Sequence, residues 1–289
     1  MALVFRQISK VLVSVEQGEG LGARVKRSIG RHELPNFDPF LMLDHFKVGA
    51  PAGFPDHPHR GFETVTYILP DSKGSMQHED FCGHKGVIGP GDLQWMTAGR
   101  GILHAEMPVN SDQASGLQLW INLPKAQKMC TPSYQELPRE KLPKITKDGV
   151  TAIVISGEAL GVKSPVYTLN ETHFAHFTME KAAILEHRIP EGFSCFIYTL
   201  TGIGKICGQE ISDSTCVTFK PEGNAIKIES ISGLFEFVVL AGKAINEPVV
   251  QHGPFVMTSQ AEIQQTFNDY SHGRHGFEGA DSWRSSIAD

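Results

Sequence analysis

Two short motifs with the same internal spacing hold the residues best suited to chemistry. His57 and His59 lie in Phe54-Pro55-Asp56-His57-Pro58-His59-Arg60-Gly61, and His104 and Glu106 lie in Gly101-Ile102-Leu103-His104-Ala105-Glu106. In an extended segment, side chains two residues apart project to the same side. Two such pairs on neighbouring barrel strands would converge as three imidazoles and one carboxylate. That set suits a divalent first-row metal and leaves positions open for water or substrate. A lone H-x-H is more often turn or surface chemistry; two motifs in one turn-rich half, each beside a Gly/Pro turn, are what point to a site. On spacing alone Glu63 is a rival ligand, since H-x-H-x-x-x-E also brings a carboxylate onto a strand. His78 and His84, flanking Asp80, read as polar turn residues or as support behind the ligands. Phe54, Trp95, Met96 and Met107 are candidate pocket walls that could equally be core.

Other chemistries fit poorly. There is no G-x-S-x-G elbow; Gly202-Ile203-Gly204-Lys205-Ile206 lacks the spacing and the Ser/Thr of a Walker A loop, and Gly18-Glu19-Gly20-Leu21-Gly22 lacks dinucleotide spacing. A net charge of −6 argues against gripping phosphate backbones through the overall field. Arg24, Lys26 and Arg27, with Arg31 nearby, form a candidate partner patch too short to read as a nuclear localisation signal. The five cysteines (Cys82, Cys130, Cys195, Cys207, Cys216) contain no C-x-x-C pair, which suits a reducing intracellular compartment. No stretch approaches the ~18 apolar residues of a membrane span. The N-terminal run, with Arg6 and Lys10 inside it, reads as an amphipathic strand rather than a leader.

The elements that must position these residues are strands. Runs at Lys10–Val15, Thr64–Leu69, Leu117–Leu123, Thr151–Ser156, Ser194–Leu200, Ala225–Glu229 and Leu234–Ala241 are β-branched and aromatic-rich. Turn clusters from a chain with 29 glycines and 17 prolines separate them. One helix is expected over Ala261–Tyr270, capped by Thr258 or Ser259 and with Ile263 and Phe267 on one face. Gly61-Phe62, Tyr67, Leu69 and Pro90 recur 131 residues later as Gly192-Phe193, Tyr198, Leu200 and Pro221, which favours a duplicated β-domain. The same offset carries His57, His59, His104 and Glu106 onto Arg188, Pro190, Phe235 and Phe237, so only the first copy would hold a metal.

The motifs resemble the cupin superfamily and, within it, the pirin family, with a likeness closer to its animal members than to distant bacterial ones. Gly53, His57, His59 and Glu63 match the first cupin motif, and Pro90-Gly91-Asp92 followed by His104 matches the second. FPDHPHRGFETV (Phe54 to Val65), HEDFCGHKG (His78 to Gly86), PGDLQWMTAGRGILHAEMP (Pro90 to Pro108) and VVQHGPFVM (Val249 to Met257) carry the narrower likeness. The resemblance implies an all-β fold of two stacked cupin barrels with a C-terminal helix. Its expected boundaries are a metal-binding domain over 1–134, a linker over 135–147, and over 148–289 a second cupin domain without metal, followed by the helix and tail. It also implies His57, His59, His104 and Glu106 as ligands to one iron, Fe(II) or Fe(III), with Glu63 a brace; the residues alone would also accept Mn, Ni, Co, Cu or Zn.

Two functions are implied. One is quercetin 2,3-dioxygenase activity, flavonol ring cleavage by dioxygen with carbon monoxide release and Glu106 as general base. The other is an iron-dependent coregulator of Rel-family (NF-kappa-B) transcription factors in nucleus and cytoplasm, with no sequence-specific DNA binding of its own, no membrane and a monomeric chain. A dedicated small-molecule dioxygenase, or another metal-dependent cupin enzyme with no transcriptional role, is the alternative.

Overall fold

A computed structural model describes residues 2–231 and 233–288. Each expected β-branched run forms a strand, because alternation lets one side chain in two pack inward while the next meets the opposite face. The chain divides into two units. One comprises Glu16–Asn36, Phe40–Arg139 and the chain from Ile245 onward. The other comprises the chain up to Val15, Phe37–Pro39 and Glu140–Ala244.

In the unit carrying the two motifs, a seven-stranded antiparallel sheet runs in the order Ser133–Leu137, Leu93–Thr97, Phe62–Ile68, Ala114–Asn122, Phe40–Val48, Ala23–Ile29, Val15–Glu19. A four-stranded sheet orders Phe54–His59, Ile102–Pro108, Met76–Asp80, Lys85–Ile88. The second unit repeats both orders. Its larger sheet runs Ile8–Val13, Thr215–Phe219, Phe193–Thr201, Leu234–Lys243, Thr172–Glu180, Val150–Ser156, Lys144–Lys147. Its smaller sheet runs Ile184–Arg188, Ala225–Ser230, Gly204–Ile206, Gln209–Ile211. Duplication is therefore legible strand by strand. The constant offset is not: the counterpart of Ile102–Pro108 is Ala225–Ser230, so Phe235 and Phe237 stand on a different strand from the one matching His104 and Glu106.

The expected boundaries need three corrections. The N-terminal strand Ile8–Val13 pairs with Thr215–Phe219 and so completes the sheet of the second unit. Residues 135–147 are largely ordered structure: Ser133–Leu137 pairs with Leu93–Thr97, and Lys144–Lys147 with Val150–Ser156. These segments cover strand edges that would otherwise expose unpaired backbone groups. The helix, Gln260–Ser271, belongs with the motif-bearing unit rather than the second one.

The helix begins as its sequence dictates. Ser259 Oγ accepts from the Glu262 amide at 3.3 Å, while Glu262 Oε2 reaches back to accept from Thr258 N and Oγ1 at 2.9 and 2.6 Å. Ile263 and Phe267 then pack with Leu103, Phe255 and Phe277. Leu103 is the outward-facing residue between Ile102 and His104, so the helix backs one of the motif strands. The other is held by Arg60, whose buried guanidinium donates to Asp269 Oδ2 at 2.8 Å, the His275 carbonyl at 2.8 Å and the Arg100 carbonyl at 2.6 Å. Gly61 follows with φ +92°, and a Cβ there would lie 2.0 Å from the Val256 carbonyl oxygen; only glycine allows that approach.

Candidate metal centre

Strands Phe54–His59 and Ile102–Pro108 pair antiparallel with His57 directly opposite His104. Between His104 and Glu106 the register shifts, Pro55 and Asp56 of one strand standing against Ala105 alone of the other, and such a bulge re-aims the side chains beside it. His57, His59 and His104 thereby bring ring nitrogens within 4.8 Å of one another. His57 Nδ1 lies 2.8 Å from the Pro55 carbonyl oxygen, which fixes the proton on Nδ1 and leaves a lone pair on Nε2. That Nε2 faces His104 Nε2 at 3.0 Å.

Electrostatics keep His59 and His104 neutral. Burial pushes the pKa of His59 and of His104 well below the ordinary histidine value, and the neighbouring imidazoles add to the effect. His59 is 1% exposed, and neither of its ring nitrogens makes a hydrogen bond; the Pro254 carbonyl lies close enough to favour its charged form but out of alignment. An orphaned buried imidazole beside two others fits an ion better than any hydrogen-bonding scheme the site offers. Donors at right angles ~2.1 Å from one first-row ion stand about 3 Å apart, the spacing found between His57 and His104.

Glu106 is 5% exposed and lines the same cavity, but its carboxylate lies outside the 4.8 Å group. Thr66 Oγ1 donates to its Oε1 at 2.8 Å, and the Gln118 amide stands 3.5 Å from Oε2. Glu63 is not part of the cluster. Period-two alternation along Phe62–Ile68 turns it to the face opposite Thr66, where Thr97 Oγ1 donates to it at 2.8 Å. Burial pushes its carboxyl up to about 7 despite that bond.

Above the imidazoles opens a cavity of about 740 Å³ walled by Leu41, Met42, Phe46, Phe54 and Trp120. Of the expected walls, Phe54 lines it, whereas Trp95 and Met96 are core and Met107 is buried outside the lining. Trp120, unremarked in the sequence, stands edge-on to His59 with centroids 5.2 Å apart. Gln118 and Trp120 alternate with the buried Leu117, Leu119 and Ile121, a pattern that could have placed both on the inner face. Gln251, Gly253 and Pro254 also line the cavity, having arrived from the C-terminal segment.

The basic run does not make one surface. Alternation along Ala23–Ile29 sends Arg24 and Lys26 to one face and Arg27 to the other, among the cavity-lining residues. Arg27 is tied to Asp44 Oδ2 at 2.6 Å and Glu19 Oε2 at 2.7 Å, and Arg24 to Glu16 at 2.7 Å. His78 and His84, by contrast, are brought together with Glu136. All five cysteines are free.

Family models for pirin match residues 22–121, and for the pirin C-terminal cupin domain residues 174–276. The chain is 54% identical to pirin of Mus musculus and 52% identical to pirin of Homo sapiens, each alignment spanning 98% of both chains. Among solved structures it is similar to a quercetin 2,3-dioxygenase from Acinetobacter baumannii, with 29% identity, a TM-score of 0.86, and coverage of 95% of this chain and 99% of that one. Two cupin units, one of them presenting converged imidazoles, and likeness along the full length agree: the chain belongs to the pirin family.

Proposed function

We propose that this chain is an iron-dependent dioxygenase acting on flavonols such as quercetin, with one iron held by His57, His59, His104 and Glu106. The observation that carries the reading is the convergence of three imidazoles, His59 and His104 buried and His57 half-buried, on a mostly apolar cavity that a carboxylate also lines. The likeness to the Acinetobacter baumannii quercetin 2,3-dioxygenase supports it. When bound, iron supplies Lewis acidity toward the flavonol 3-hydroxyl and redox reach toward dioxygen. The protein does the rest. Phe54 and Trp120 offer flat apolar walls to a planar polycyclic substrate and keep water away. Glu106 takes the 3-hydroxyl proton, while Thr66 and Gln118 hold its carboxylate in one orientation. Ring cleavage then adds both atoms of dioxygen to the flavonol and releases carbon monoxide.

The test is anaerobic loading with Fe(II), followed by quercetin loss and carbon monoxide release on admitting oxygen. Wild-type protein turns over, and His104→Ala and Glu106→Ala each lose at least ~100-fold. One tightly bound iron with no turnover would overturn the reading.

We propose a second activity as well, supported by near-complete alignment with animal pirins across both units. In it the chain assists Rel-family (NF-kappa-B) factors in nucleus and cytoplasm. With a single carboxylate ligand, the ligand set and ion carry +1 as Fe(II) and +2 as Fe(III), a difference able to change partner affinity by ~1–3 kcal/mol. Arg24 and Lys26, without Arg27, remain as the contact. Equal binding of the Rel domain by the two oxidation states would remove this reading.

A further inference from the structure

We propose that His78, His84 and Glu136 form a second divalent-cation site, selective for zinc-like ions and separate from the imidazole cluster of His57, His59 and His104. His78 stands on Met76–Asp80 and His84 just before its hairpin partner Lys85–Ile88, and Glu136 joins them from the distant strand Ser133–Leu137. Their donor atoms all lie within 4.8 Å of one another.

Hydrogen bonding alone accounts for this cluster badly. His78 Nε2 is 2.6 Å and His84 Nε2 3.1 Å from the same oxygen, Glu136 Oε1, and Gln94 Nε2 donates to that oxygen as well at 2.8 Å. Three N–H groups thus crowd on one carboxylate oxygen, which offers two lone pairs. His78 is only 4% exposed, and despite its short distance its Nε2 lacks hydrogen-bond alignment. A cation between the three resolves the crowding, because each imidazole then presents a lone pair instead of a proton.

Room and rigidity are both present. A Cβ on Gly86 would fall 2.7 Å from His78 Nε2 and 3.2 Å from Glu136 Oε2, so glycine leaves the space over those donor atoms clear. His84 stacks on Tyr134 with centroids 4.1 Å apart, and its amide donates to Asp80 Oδ1 at 2.9 Å. Side-chain exposures of 36% for His84 and 31% for Glu136 give an ion access from solvent.

Two imidazoles and a carboxylate, with one position left for water, are a zinc-type set. Donors ~2.0–2.1 Å from a tetrahedral ion stand about 3.3 Å apart, so seating one requires the His84–Glu136 pair to open by about 0.2 Å and the His78–Glu136 pair by about 0.7 Å.

The experiment is a Zn²⁺ titration of iron-loaded full-length protein against a chromophoric competitor, with both metals counted by elemental analysis. Wild type binds one Zn²⁺ per chain while retaining its iron. His84→Ala and Glu136→Gln weaken that Zn²⁺ by ~100-fold or more and keep their iron and their melting temperature. His104→Ala, depleted of iron, still takes up one Zn²⁺ at the wild-type affinity. No Zn²⁺ beyond that displacing iron in wild type, or a Zn²⁺ affinity unmoved by His84→Ala and Glu136→Gln, would overturn the proposal. Neither result depends on turnover.

Discussion

In the smaller sheet of one unit, strands Phe54–His59 and Ile102–Pro108 gather His57, His59 and His104 into a cluster, with Glu106 on the same cavity. In the corresponding sheet of the other, Ile184–Arg188 and Ala225–Ser230 bury Leu185, His187, Ile226 and Ile228. Strand order is the same in both, so the backbone architecture is indifferent to whether a metal is held. Burial acts alike on the imidazoles of each unit: it lowers His59 and His104, and it pushes His187 down to about 4. The difference lies in company. His187 packs edge-on against Phe177 and serves as an apolar ring, whereas His57, His59 and His104 face one another with ring nitrogens within 4.8 Å, where an ion could take their lone pairs.

Each unit also anchors a terminal segment through one buried arginine, and the partners differ in charge. Arg60 meets the Asp269 carboxylate, while Arg6 donates to the Phe193, Pro190 and Gly223 carbonyls. The largest expected effect follows from this contrast. Arg60→Ala takes the buried guanidinium from the Asp269 carboxylate, leaving it His275 and Gln265 at 2.8 Å and Arg274 at 3.5 Å, and costs ~3 kcal/mol, the low end for breaking a buried pair. Arg6→Ala abandons only neutral acceptors, at ~1–3 kcal/mol. Urea titrations of the two variants would show the order, and equal losses would break the comparison.

Next in size is a double dissociation. Ile228→Ala in the apolar interior costs ~2–5 kcal/mol and leaves iron content at the wild-type level. His57→Ala removes no large apolar group, and iron binding falls by ~100-fold or more. Elemental analysis beside a melting curve reads both. Iron loss on Ile228→Ala would mean that the two interiors are not independent.

The smallest effect concerns Glu63, the carboxylate set behind the cluster. Its folded-state pKa, about 7, lies above the ordinary 4.5. The protonated form therefore contributes stability that is fully present below about 4.5 and is lost as pH rises through about 7, up to about 3 kcal/mol in all. Glu63→Gln removes this slope and is more stable than wild type at pH 8. Parallel stability profiles from pH 4.5 to 8 would refute the assignment.

Much of the site was legible in the residues themselves because β-structure has a period of two. That rule alone puts His57 with His59 and His104 with Glu106, and along Phe62–Ile68 it separates Glu63 from Thr66. Applied to Ala23–Ile29, it would also have split Arg27 from Arg24 and Lys26. The C-terminal helix was equally readable, since Ser259, Glu262, Ile263 and Phe267 act within about two turns of one another.

What lay beyond local rules was decided by contacts between segments far apart in the chain. Ile8–Val13 and Ser133–Leu137 close equivalent sheet edges, yet nothing in either run names its partner strand; backbone pairing is open to any complementary edge. The C-terminal helix reads as amphipathic wherever it packs, and it is tertiary contact, Ile263 and Phe267 on Leu103 and Asp269 on Arg60, that assigns it to the unit carrying the imidazole cluster. The convergence of His78, His84 and Glu136 is of the same kind. No spacing in the sequence announces it, because their donor atoms meet through the register of separate strands rather than through the geometry of one.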